Sequence, residues 1–315
     1  MKLNELNHQE VTDKPGENAL FIVYTLKNEK NTNEIVKDLC ANLRAITRSM
    51  KNRYPNLEIS AVMGFGSNAW DKLFPKYKKP KELKVFQEIK GDKHIAPSTP
   101  GDLFFHIRAK RVAACYEIAS IIAQKLADVA ISEDEVHGFR YFDGRAIIGF
   151  VDGTENPENY EAYKSAIIGN NDKDFEGGSY AFVQKYIHSM TEWNNISTEE
   201  QEKVIGRRKF NDVELSDDEK PENAHNAVTN IEDENGNELK IIRANMPFAN
   251  PSKGEIGTYF IGYASTFSTT QKMLENMFIG EPRGNYDRLL DFSTAKTGTL
   301  FFVPTFDMLD ELSEI

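Results

Sequence analysis

One alternation restricts what this chain can fold into. Apolar strand-like segments and amphipathic helix-like segments follow one another as strand, helix, strand, strand, helix, strand, and the scheme then recurs with looser spacing. NALFIVYTL reads as the first strand, Asn33 to Lys51 as a helix with one apolar face, and LEISAVMGFG as the second strand. GDLFFHIRAK is a third strand running into the helix RVAACYEIASIIAQKLAD, and GRAIIGFV a fourth strand. In the second half SYAFVQKYI, LKIIRANMPF, GTYFIGYAS and GTLFFVP read as strands, with helices opening at Thr198–Val204 and over STTQKMLENMFIG. Each half has the order of a ferredoxin-like unit. The expected fold is therefore α+β, with duplicated ferredoxin-like units of the dimeric α+β barrel type and antiparallel sheets. Residues 1–155 form the first unit, 156–178 a linker rich in Asn, Asp, Glu and Gly, and 179–315 the second unit.

Composition narrows the function classes. A chain of 315 residues with net charge −11 lacks the basic footprint that nucleic-acid binding needs. No run approaches the roughly 18 apolar residues of a membrane helix, and the opening segment has no basic start followed by an apolar stretch. No membrane association and a cytoplasmic location are the expectations. Cys40 and Cys115 are the only cysteines and stand in no CxxC or CxxCH spacing, which argues against a disulfide framework or covalent haem attachment. Between Asp212 and Glu238, ten acidic residues against Lys220 account for −9 of the −11, an arrangement typical of a solvated loop.

Three places carry candidate chemistry. In GFVDGTENP, Asp152 stands in a dense turn directly after an apolar run, where it either shapes the turn or is presented as a reagent. In LKIIRANMPF, strand alternation puts Leu239, Ile241, Arg243 and Asn245 on one face, with Arg243 and Asn245 roughly 7 Å apart. That pair is either the polar end of an edge strand or an anion-stabilising couple. His225, inside the acidic run, is either solvated or the single imidazole that haem iron takes as its proximal ligand; no second His or Cys stands at zinc spacing. Gly64-Phe65-Gly66 lacks the remainder of a phosphate loop, and no GxSxG occurs.

Taken in order, IIGFVDGTENP, IGRRK, ENAHNAV, IIRANMPF, YDRLLDFST and GTLFFVP resemble the dye-decolourising peroxidases over nearly the whole chain. The resemblance implies one non-covalent haem b per chain, held in the C-terminal half. It implies reduction of hydrogen peroxide and oxidation of a dye, phenol or other small reductant through a ferryl intermediate. His225 matches the proximal iron ligand and Asp287 the carboxylate behind it, with Asp291 one turn away as the alternative. Asp152 and Arg243 match the distal pair, and Asn245 takes the distal position where some relatives carry serine. Arg207 matches a propionate partner, with Arg208 beside it, and Phe260 and Phe302 would line the haem pocket or serve as packing. Further expectations are a homo-oligomer, a preference for neutral or cationic reductants from the acidic loop and Glu155, electron transfer to the surface through Tyr or Trp, with Trp193 and several tyrosines available, and a Mn²⁺ site from Glu155, Glu214 and Glu238. Iron release from haem, or haem carriage without catalysis, stays open as the alternative activity.

Overall fold

The computed structural model describes residues 2–315. The first unit runs β1 (Asn18–Leu26), α1 (Thr32–Arg53), β2 (Ser60–Gly66), β3 (Leu103–Ala109), α2 (Val112–Leu126) and β4 (Ala130–Phe139). The second contains β5 (Ser179–His188), α3 (Thr198–Ile205), α4 (His225–Thr229), β6 (Ile242–Arg243), β7 (Met246–Asn250), β8 (Glu255–Ala264), α5 (Phe267–Phe278), β9 (Ser293–Ala295) and β10 (Thr299–Val303). A last helix, α6 (Phe306–Glu314), follows. The first unit has strand order β4-β1-β3-β2 and the second β10-β5-β8 followed by β6 and β7, both running along β8. Both are the ferredoxin-like 4-1-3-2 arrangement.

The units join into one ten-stranded sheet through antiparallel pairing of β10 with β2, Phe301 opposite Gly66 and Phe302 opposite Phe65. At the other end the sheet curls until β7 lies against β4. A methyl group on Gly138 would sit 2.5 Å from the Met246 Cβ, so that approach needs glycine. The curl explains why the strands are apolar on both faces. On β1, Leu20, Ile22 and Tyr24 point to the helices, while Ala19, Phe21 and Val23 point into the barrel interior with Tyr259, Ile261 and Tyr263. Among the described residues no helix is long and apolar enough to cross a membrane.

Two strand expectations need correction. GRAIIGFV is a loop with a single bridge between Arg145 and Val151, and the fourth strand is AISEDEVHGF. The apolar loop residues Ile148 and Phe150 are buried against Trp193, Val204 and Ile205, a small core away from the sheet. LKIIRANMPF is not one strand: Leu239 pairs with Ile231 in a separate hairpin, and the two pieces along β8 keep a continuous register, but the Ile261 N–H donates to the Asn245 side-chain Oδ1 at 3.1 Å in place of a main-chain carbonyl. The segment 156–178 holds a helix at Asn159–Ala166.

Candidate functional site

A cleft of about 270 Å³ opens on the outer face of the second unit's sheet. Tyr186 and His188 of β5 and Thr258 and Phe260 of β8 form its floor, α5 contributes Met273, Leu274 and Met277, and the 146–155 loop closes one side. Asp152, Arg243, Asn245, His225, Arg207 and Phe260 all line it.

Two histidines face this space, and their hydrogen bonds separate them. The Nδ1 of His188 bonds the Ser293 hydroxyl at 2.7 Å and its Nε2 the Thr258 hydroxyl at 2.8 Å, so neither nitrogen is free. Burial pushes that imidazole down to about 4, which keeps it neutral. His225 opens the short α4, and among the described residues only its Nδ1 is engaged, 2.6 Å from Asp287 Oδ2. An Nδ1–H donated to the carboxylate leaves the Nε2 lone pair as a donor to an acceptor atom in the cleft. Asp287 is fully buried and fixed: its Oδ1 accepts the Leu289 N–H at 2.9 Å, and its own N–H donates to the Met277 carbonyl at 2.9 Å. Asp291 instead bonds Lys93, His94 and Tyr286, so it is not the partner of His225.

Another wall carries the acid and the cation. The turn after Phe150 uses Gly153 at φ 82, a left-handed conformation that glycine adopts without strain, and brings Asp152 under β6. Because Asn245 Oδ1 accepts from Ile261, its amide NH₂ must face Asp152, and it lies 3.4 and 3.3 Å from the two carboxylate oxygens. Arg243 is set by Asn156, whose side-chain amide donates to the Arg243 carbonyl at 2.7 Å and accepts its N–H at 2.9 Å. Among the described residues no carboxylate pairs with the Arg243 guanidinium, which therefore reaches the cleft with its charge and donors uncommitted.

The residues 143–308 match the family described as Dyp-type peroxidase, C-terminal, and residues 9–140 the family described as Dyp-type peroxidase, N-terminal. The chain belongs to the Dyp-type peroxidases. A dye-decolorizing peroxidase of Rhodococcus erythropolis is 52% identical over 295 residues, covering 94% of this chain and 86% of that protein. A dye-decolorizing peroxidase from Bacteroides thetaiotaomicron superposes with a TM-score of 0.94 at 65% identity, over 98% of this chain and 99% of that one. A variant of DypB from Rhodococcus jostii, solved in complex with heme, superposes with a TM-score of 0.94 at 47% identity, over 99% and 100% of the two chains. The protein is thus an oxidoreductase of the peroxidase class.

Within this Dyp-type peroxidase, other expected positions fall differently. Phe302 does not line the cleft; it is fully buried among Trp70, Phe175 and Tyr180, because its position on β10 faces the helices that cover the first unit. Arg207 does line the cleft, but its guanidinium already meets Asp212 at 3.0 Å and Glu155 at 2.9 Å. Arg208 is outside the cleft, paired with Glu202 and Glu219. Glu155, Glu214 and Glu238 edge the cleft, each held by a cation, Arg207, Lys220 and Lys240 respectively; among the described residues no group of three or more acids, histidines or cysteines is gathered for a metal ion. Trp193 is not a surface residue. It is fully buried, and its indole N–H donates to the Ile148 carbonyl at 3.0 Å, bracing the loop that ends in Asp152. Sequence reasoning missed His188, Ser293, Thr258 and Asn156; of these only Asn156, inside the turn-rich GTENP, carried a visible signal.

Proposed function

We propose that the cleft holds one haem b non-covalently and that the chain uses it to reduce hydrogen peroxide at the expense of a small reductant. The fit rests on the chemistry of the walls: apolar surface from Ile148, Phe150, Phe260, Met273, Leu274 and Leu289, one imidazole nitrogen free to ligate, and an unpaired guanidinium beside a carboxylate. Bound haem supplies the redox-active iron at which the peroxide O–O bond is broken and from which the reductant is then oxidised.

In this reading His225 Nε2 ligates iron, and Asp287 holds the imidazole in the required tautomer and orientation. Arg207 is the cation available to a porphyrin carboxylate once the exposed Glu155 gives way. Asp152 accepts the proton from one peroxide oxygen and returns it to the departing one. Asn245 fixes the Asp152 carboxylate, and Arg243 stabilises the negative charge that develops as the leaving oxygen separates. Hydrogen peroxide and a small-molecule reductant are the partners, and the acidic edge of the cleft favours neutral or cationic reductants.

The observation that carries this reading is the uncommitted Arg243 guanidinium beside Asp152. A haem carrier, or a protein that only releases iron, has no use for that pair. Stopped-flow mixing of the haem-loaded protein with peroxide is the test. Arg243→Leu is expected to slow the first spectral change about 10²–10³-fold, the usual effect of removing one such charge-stabilising donor. A wild-type rate in that variant would remove the peroxidase mechanism and leave carriage.

A further inference from the structure

A second opening reaches Asp152 from behind, and its charge pattern is unlike that of the cleft. It is a cavity of about 40 Å³, room for roughly three water molecules at the ~10–15 Å³ that each needs. Asp152, Gly153, Arg243 and Asn245 line both spaces, so the two meet at these residues. Toward the surface the narrow passage is lined by Arg140, which follows β4, and by Arg145 in the loop before Asp152.

Three guanidiniums thus surround a space whose single lining carboxylate is Asp152. Among the described residues none of the three has a carboxylate partner, whereas Arg207, Arg208, Arg283 and Arg288 each sit on one. Arg145 spends its donors on the neutral carbonyls of Gly149, Lys209 and Phe210, so its charge stays uncompensated. The Arg140 and Arg243 guanidiniums donate to no described residue. By contrast, the edge of the cleft sets Glu155, Glu214 and Glu238 against Arg207 and Lys240. In a chain of net charge −11, a local excess of positive charge around a small recess attracts anions, and a planar guanidinium grips them through paired N–H groups.

We propose that this passage is a binding site for small inorganic monoanions, gripped by Arg140 and Arg243, with Arg145 adding charge. Its size excludes organic anions of more than a few atoms. An anion bound there occupies the Arg243 donors and places a second negative charge beside Asp152. It should therefore compete with peroxide, a consequence that rests on the function proposed above, whereas the binding site itself does not.

Line broadening of the chloride NMR signal by the haem-loaded protein tests the site without turnover. The expected result is a saturable broadening, displaced by nitrate, with chloride affinity about tenfold lower in Arg140→Gln, the scale of one hydrogen bond to a charged group, and partly recovered in Arg140→Lys, which keeps the charge without the paired donors. Equal affinity in Arg140→Gln and the wild type would place the chloride elsewhere, on iron or on the surface, and overturn the proposal. Chloride inhibition of the peroxide reaction, measured on the same variants, separates this proposal from the functional one. Arg140-dependent binding without competition against peroxide keeps the anion site and sinks the assigned role of Arg243. Normal peroxide reactivity with no Arg140-dependent chloride binding does the reverse.

Discussion

The two ferredoxin-like units share a strand order and use the outer face of their sheet in opposite ways. In the first, α1 of 22 residues and α2 of 15 lie across that face, and Leu39, Leu43, Ile118 and Ile122 fill the interface. In the second, the segment between β5 and β6 contains only short helices of 6, 8 and 5 residues, so nothing equivalent to α1 covers the sheet. The floor that α1 would have buried, with Tyr186, His188, Thr258 and Phe260, faces the cleft instead. One topology therefore yields a scaffold where a long helix packs and a site where it is replaced by loops and short helices, one of them opened by His225. The residues of the site come from loop positions or strand ends, while the packed strands hold them in place.

If that division is right, substitutions in the two units should fail differently. The largest effect is expected for His225→Ala: complete loss of the haem absorbance band in a protein whose far-UV circular dichroism is unchanged, since His225 is part of no core cluster. Leu39→Ala should give the opposite pattern. Removing a fully buried side chain from the α1 interface costs about 3 kcal/mol, read as a lower denaturant midpoint, with the peroxide reaction of the folded fraction unaltered. A stable Leu39→Ala protein with impaired reactivity would show that the first unit does more than support the second.

Asp287→Asn comes next. Asp287 is fully buried and among the described residues its side chain bonds only His225 and Leu289, so the variant should fold while losing the charged acceptor behind the ligand. Weakened haem retention by roughly 10–100-fold is expected, measured as transfer of haem to an apo-globin acceptor. Retention equal to wild type would mean that the imidazole is oriented by the loop alone.

The legible and illegible parts of this molecule divide on the same line. The packed strands announced themselves: NALFIVYTL coincides with β1, and the alternation along LKIIRANMPF put Leu239, Ile241, Arg243 and Asn245 on the face that lines the cleft. Errors arose where burial and secondary structure part company. GRAIIGFV is apolar because Ile148 and Phe150 pack on Trp193, whereas the true fourth strand, AISEDEVHGF, keeps its charges because much of it is solvent-exposed at the seam of the sheet. Phe302 and Phe260 look alike in sequence, and only the direction each faces decides that one is core and the other cleft wall. His188 gave no signal, since a histidine with both nitrogens satisfied by hydroxyls from β8 and β9 depends on contacts 70 and 105 residues away.

Asn156 offers the smallest and most discriminating test. Its side-chain amide makes the two bonds to Arg243 that a neighbouring strand would otherwise make, and so ties the Asp152 turn to β6. The residue itself need not touch peroxide, so its effect should run through Arg243. At about 1 kcal/mol for each of the two hydrogen bonds lost, Asn156→Ala is expected to slow the peroxide reaction by up to roughly thirtyfold. The same substitution placed in an Arg243→Leu background should cost nothing further, because a positioning residue has no effect once the group it positions is gone. Additive losses would mean that Asn156 acts on peroxide or on Asp152 directly, and that the acid and the cation are held by separate devices.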